Sequence, residues 1–229
     1  MNINSKYLGG FVFKGKNDFL FRDLFMQISQ NDFRISIKEG TINNKEWTIG
    51  TIKSNIAFKK EETSPPYEYH FYFIEKRGAS LSIVLSENKE LATKLLNEMQ
   101  KLNRAIFPIR INTEIILNNI DTYTFARETG RENKFIVNYL FAKIEGMQDK
   151  LTSITLYGKD VLKSVLYLNY KDNFNSLTCG LAIEEGAFNF SEISRVSNDG
   201  YISFYVNDNV FDNVQLITTF LHNTKSFIL

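Results

Sequence analysis

Residues 67–103 read as a strand, a tight turn, a second strand and an amphipathic helix, and the same succession returns over residues 191–223. The turns fall at Glu75-Lys76-Arg77-Gly78 and at Ser197-Asn198-Asp199-Gly200. Each ends on the residue that most readily adopts the backbone conformation of a tight hairpin. The two glycines are 122 positions apart, and so are Leu95 and Ile217, and Met99 and Leu221. This spacing predicts two copies of one module in tandem, over residues 1–106 and 107–229.

In the first half, residues 7–13 read as a strand interrupted by Gly9-Gly10. Asn17 or Asp18 then caps a helix over 17–30, with Leu20, Leu24 and Ile28 beside Phe21 and Phe25 as its apolar stripe. Phe33, Ile35 and Ile37 alternate with polar residues, and Trp47, Ile49 and Thr51, extended to Ile56 and Phe58, continue an antiparallel meander. The polar run 59–66, ending in two prolines, is a surface connection. Ser86 is placed to cap a helix over 87–102 with the row Leu91, Leu95, Met99 and Leu102.

In the second half the pattern predicts a strand over 110–117 and a polar connection over 118–131. A helix over 132–145 follows, on the row Ile136, Leu140 and Ile144, with Gly146 as its stop. Strands follow at 152–157, 161–170, 177–184, 188–193 and 201–206. Asp208 or Asn209 caps a final helix whose row is Val210, Val214, Ile217 and Leu221. The predicted fold class is α+β. Each module is an antiparallel meander of about five to six strands packed on an N-terminal and a C-terminal helix, in the order strand, helix, four or five strands, helix.

At 229 residues, 43% of them hydrophobic and with only three prolines, the chain has enough apolar area to fold as two domains of roughly 110 residues. The 20 Phe and 11 Tyr favour strands and bury large areas. Lys and Arg number 27 against 26 Asp and Glu, so there is no global field to draw nucleic acid or an anionic membrane. The N-terminal residues lack a basic segment followed by an apolar one, and no apolar run reaches the ~18 residues of a membrane span. The expectation is a cytoplasmic protein. Cys179, the only cysteine, sits in an apolar run and reads as a small core residue.

No G-x-S-x-G, H-E-x-x-H, P-loop or G-x-G-x-x-G motif is present, and no cofactor or metal signature is found. The two histidines have no His or Cys at ligand spacing. His70, in an aromatic strand, is the residue best suited to general-base work, and His222 suits the negative end of a helix. Glu87-Asn88-Lys89 and Glu132-Asn133-Lys134 match the short E-x-K pattern of metal-dependent nucleases, but both fall where helix starts favour Glu in any case. Arg127 and Arg131 bracket Glu128-Thr129-Gly130, where paired guanidinium groups suit an anion. The terminal Phe227, Ile228 and Leu229 leave three apolar residues after the last helix, to pack back or to dock on a partner.

The order of elements resembles that of the TATA-binding protein fold and, more loosely, of helix-grip proteins of the pollen-allergen type. The resemblance lies in element order and carries no residue roles. It implies two alternatives: a nucleic-acid-binding saddle with aromatic stacking, or a binder of a small apolar ligand between sheet and helix. Balanced charge disfavours the first. The expected function is a non-enzymatic interaction or assembly protein that binds another protein through sheet faces or edges.

Overall fold

Apolar and polar side chains alternating with period two produce antiparallel sheets with helices set against them, an α+β architecture, in a computed structural model of the chain. The structure describes residues 7–15, 36–40, 47–54, 69–76, 81–102, 106–126, 132–145, 152–159, 161–184, 189–206 and 210–228. The chain divides into two units, Tyr7–Ile109 and a second built on Arg110–Leu229.

In the first unit, β1 (Tyr7–Gly15), β2 (Ser36–Gly40), β3 (Trp47–Ser54), β4 (Tyr69–Lys76) and β5 (Leu81–Leu85) run in the spatial order β1-β5-β4-β3-β2, and β6 (Ile106–Pro108) also pairs with β1. β2 to β5 form a meander, and β1 lies beside its last strand. Every pairing is antiparallel. α1 (Lys89–Leu102) lies on β1 and β6 and buries Ala92 and Leu96, one turn apart. Gly10 has no room for a side chain, since a Cβ there would stand 1.8 Å from the carbonyl oxygen of Val84. Ser86 does not cap the helix. Its backbone exchanges two 2.8 Å hydrogen bonds with Gly9, and its hydroxyl donates toward the carbonyls of Gly9 and Asn88. Of the turn expected at 75–78, Glu75 and Lys76 are paired within the sheet, and Arg77 and Gly78 lie outside the described residues. The helix expected over 17–30 and the extension to Ile56 and Phe58 lie outside the described residues.

In the second unit, β7 (Arg110–Ile111) leads into α2 (Thr113–Asn119). β8 (Thr124–Ala126), β9 (Glu132–Ile144), β10 (Ser153–Tyr157), β11 (Phe174–Glu184), β12 (Phe190–Ser197) and β13 (Tyr201–Tyr205) follow. They pair antiparallel in the order β10-β9-β11-β12-β13, with β8 beside the start of β9. Because β10 and β11 flank β9, the connection between them crosses over β9. It carries α3 (Val165–Tyr170), and its first turn touches β9 through the buried Val161. α4 (Val210–Asn223) packs on β12 and β13, and β14 (Phe227–Ile228) returns to pair with β7.

The core lies between α4 and one face of this sheet. Leu140 and Ala142 of β9, Cys179 and Leu181 of β11, Ile202 and Phe204 of β13, and Val214, Ile217 and Phe220 of α4 are all fully buried. Phe135 of β9 joins Tyr123, Phe125 and Phe220 in an aromatic cluster with ring centroids 4.6–6.0 Å apart. Gly200, at φ 89°, makes the β12–β13 hairpin, and its N–H bonds the Ser197 carbonyl at 3.1 Å.

Three expectations are corrected in this unit. Residues 132–144 form a strand, not a helix. Their buried apolar residues are Phe135 and Val137, then Leu140, Ala142 and Ile144. A bulge at Asn138, where Gly180 pairs with Tyr139 but Leu181 with Val137, inserts the extra step that imitates helical spacing. Residues 110–117 are a two-residue strand followed by a helix, because the Asn112 side chain caps the N–H groups of Glu114 and Ile115 at 3.0 and 3.2 Å. Residues 161–170 form a 3₁₀ turn and a helix, not a strand, with the Ser164 hydroxyl accepting from the Tyr167 N–H at 3.2 Å. No helix of the described residues is long and apolar enough to cross a membrane.

Candidate functional site

An open cleft of about 850 Å³ lies in the Arg110–Leu229 unit. Arg110 of β7, Glu114 in the first turn of α2, Tyr167 of α3, Lys171 and Asp172 just after it, and Asp199 in the β12–β13 hairpin supply its charged and phenolic groups. Each reaches the cleft for a local reason. The Asn112 cap starts α2 one residue after β7, and the Ser164 cap holds the turn that presents Tyr167. The Tyr167 ring lies 6.1 Å from that of Phe174. Burial, then the charges of Asp172 and Glu114, raise the Tyr167 hydroxyl above the ordinary phenol range, so it stays a protonated donor at neutral pH. Two cations and three carboxylates around apolar patches suit a polar, multiply charged surface. None of the lining residues is His or Cys.

Beside the cleft, α3 shows the solvent an apolar surface. Val165 is 70% exposed, Leu166 49% and Leu168 53%, and no residue of this six-residue helix is buried.

A second constellation lies across the β9-β11-β12 ladder. Gly180 pairs with Tyr139 on one side and Arg195 on the other, and the Arg195 guanidinium crosses it to stand 4.2 Å from the Tyr139 ring centroid. Glycine is required there, since a Cβ would meet Tyr139 Cβ at 2.6 Å and Asn138 Oδ1 at 2.9 Å. Glu192 accepts from Arg195 Nε at 3.0 Å. Asn138 is fully buried, and its side-chain amide has no hydrogen-bond partner among the described residues.

The residues singled out from sequence are scattered. His70 sits in β4 of the first unit, opposite Lys53. His222 is exposed in the last turn of α4. Phe227 and Ile228 form β14 opposite Ile111 and Arg110, and Ile228 lines the cleft. Arg127, Arg131 and Leu229 lie outside the described residues. Of the two E-x-K matches, one precedes and enters α1 and the other starts β9. Cys179 is fully buried, and burial pushes its thiol up to about 12. Among the described residues, no three of His, Cys, Asp and Glu are placed to hold a metal ion.

Sequence reasoning missed the Tyr139-Gly180-Arg195 row and the exposed face of α3. The one available signal for the row was a glycine inside a strand pattern, which marks a bulge or a close approach. No protein-family model matches the chain, and a comparison with curated proteins finds no significant match.

Proposed function

We propose that the protein is a non-enzymatic interaction or assembly protein, built from two copies of one sheet-and-helix module, and that it binds another protein through its Arg110–Leu229 unit. The observation that carries this reading is the apolar surface of α3 beside the cleft. A crossover that served packing alone would turn Val165, Leu166 and Leu168 inward, and apolar residues clustered in the open with polar groups around them mark interaction sites. The Tyr139–Arg195 stack adds the two residue types that most often dominate protein interfaces.

The order of elements supports the duplication. β4, β5 and α1 of the first unit follow one another as β12, β13 and α4 do in the second, an antiparallel strand pair and then a helix in each.

The test is chemical cross-linking in native cell extract, with Leu166→Asp and Leu168→Asp introduced together and the circular dichroism spectrum checked against wild type. Wild type should trap a discrete protein that the charged variant loses by at least tenfold. A salt-sensitive shift of labelled DNA or RNA, unchanged by the two substitutions, would overturn the reading in favour of nucleic acid.

A further inference from the structure

We propose that β10 is a self-pairing edge, through which two copies of this chain join antiparallel into one continuous sheet. The inference goes beyond the role proposed for α3 and stands on this edge strand alone.

β10 is the end strand of its sheet and pairs only with β9 among the described residues. The direction of its unused hydrogen bonds is set by the two just beyond its ends. Gly158 N–H donates to the Asn138 carbonyl at 2.9 Å, and the Thr152 carbonyl accepts from Ile144 N–H at 3.1 Å. The register between them is unbroken, so Ile154 and Leu156 also face β9, and the backbone groups of Ser153, Thr155 and Tyr157 point outward along the open edge.

Sheet edges are ordinarily guarded by charge, proline or a bulge. β10, with sequence Ser-Ile-Thr-Leu-Tyr, has none of these. An unguarded edge with outward N–H and C=O groups is a template for another strand, and this strand is complementary to itself. Antiparallel pairing about Thr155 sets Thr155 against the partner's Thr155, Ile154 against the partner's Leu156, and Ser153 against the partner's Tyr157. The apolar pair extends the buried side of the sheet and no charges oppose one another. Tyr157, 66% exposed in the single chain, gains cover. Such an interface is two-fold and closes at the dimer. It is also smaller than a standard protein interface, so dissociation in the range of about 1–100 μM is expected.

The experiment measures the mass of the purified full chain by sedimentation equilibrium from about 1 to 500 μM, bracketing that range. The expected result is a rise from 26.6 kDa to twice that value. Thr155→Pro removes an outward N–H while leaving the bonds to β9 in place, and should stay at the single-chain mass with an unchanged circular dichroism spectrum. If that variant misfolds, Thr155→Lys is the second test and should dissociate the dimer at least tenfold. Oxidised Thr155→Cys should form a covalent dimer, since directly opposed residues on antiparallel strands lie within disulfide reach and Cys179 is buried. A single-chain mass at every concentration overturns the proposal and leaves the edge to a different strand. A dimer that persists in folded Thr155→Pro or Thr155→Lys overturns it as well. Neither result bears on cross-linking through α3, so the two readings fail separately.

Discussion

Glu87-Asn88-Lys89 and Glu132-Asn133-Lys134 are the same tripeptide, yet one leads into the fourteen-residue helix α1 and the other opens the thirteen-residue strand β9. The residues downstream of each tripeptide make the difference. After Lys89 come Glu90, Leu91, Ala92, Thr93, Lys94, Leu95 and Leu96, mostly residues that lose little side-chain freedom in a helix. After Lys134 come Phe135, Ile136, Val137, Asn138 and Tyr139, dominated by aromatic and β-branched side chains that are stiff at χ1 and fit a pleated surface. β9 also has partners on both flanks, β11 on one side and β10 on the other, and β8 pairs with its first residues. Where apolar spacing and residue type disagree, residue type with available neighbours decides.

The sharpest way to break that contrast is a pair of truncations in β9. A helix on the row Ile136, Leu140 and Ile144 would bury Ile136, whereas the strand buries Phe135 at 1% exposure in contact with Phe220. Phe135→Ala should lower unfolding free energy by about 3–5 kcal/mol. Ile136→Ala, at a half-buried position, should lower it by less than half as much. Urea denaturation of both variants checks the ranking, and a reversal would return the segment to a helix.

Glycine exchanges come next in size. Ala92→Gly in α1 should destabilise by about 1 kcal/mol, the ordinary effect of backbone freedom in a helix, together with the loss of a buried methyl. Gly180→Ala, beside β9, should destabilise by about 1–3 kcal/mol through crowding of Tyr139, the reverse of the usual expectation for glycine in a strand. If Gly180→Ala is neutral, the close approach of β9 and β11 at the bulge is wrong.

Much of the fold was legible where local signals agreed. The Gly200 hairpin, the β3 and β5 strands and the α1 and α4 helices combine a single period with matching turn or residue type. The failures share one cause. At Asn138 a bulge changed the phase of the apolar pattern; at Asn112 and Ser164 one polar side chain converted apolar runs into short helices by capping them. A single cap or bulge outweighs several weakly periodic residues. The candidate site was less legible for a different reason. Tyr139 and Arg195 are distant in sequence and meet only because Gly180 pairs with both, while the cleft gathers residues from four separate stretches of chain.

The smallest perturbation reads the same contrast through a thiol. Cys179 is paired with Leu140 of β9 and Val196 of β12, and burial pushes its thiol from the usual value of about 8.5 up to about 12. Its folded form therefore binds the proton more tightly than the unfolded chain. The stability linked to this proton is fully present below about pH 8.5 and is lost progressively as pH rises toward 12. At about pH 9 a thiol reagent should reach Cys179 only when β9 and β11 separate, so native labelling should be slower than in urea by about a thousandfold or more. Thr93→Cys, on the exposed side of α1, should label at once with almost no change in stability, and Phe135→Ala should speed Cys179 labelling in step with the stability it removes. If Cys179 reacts as fast as the thiol on α1, β9 does not seal the ladder, and the contrast between the two Glu-Asn-Lys segments fails at its structural root.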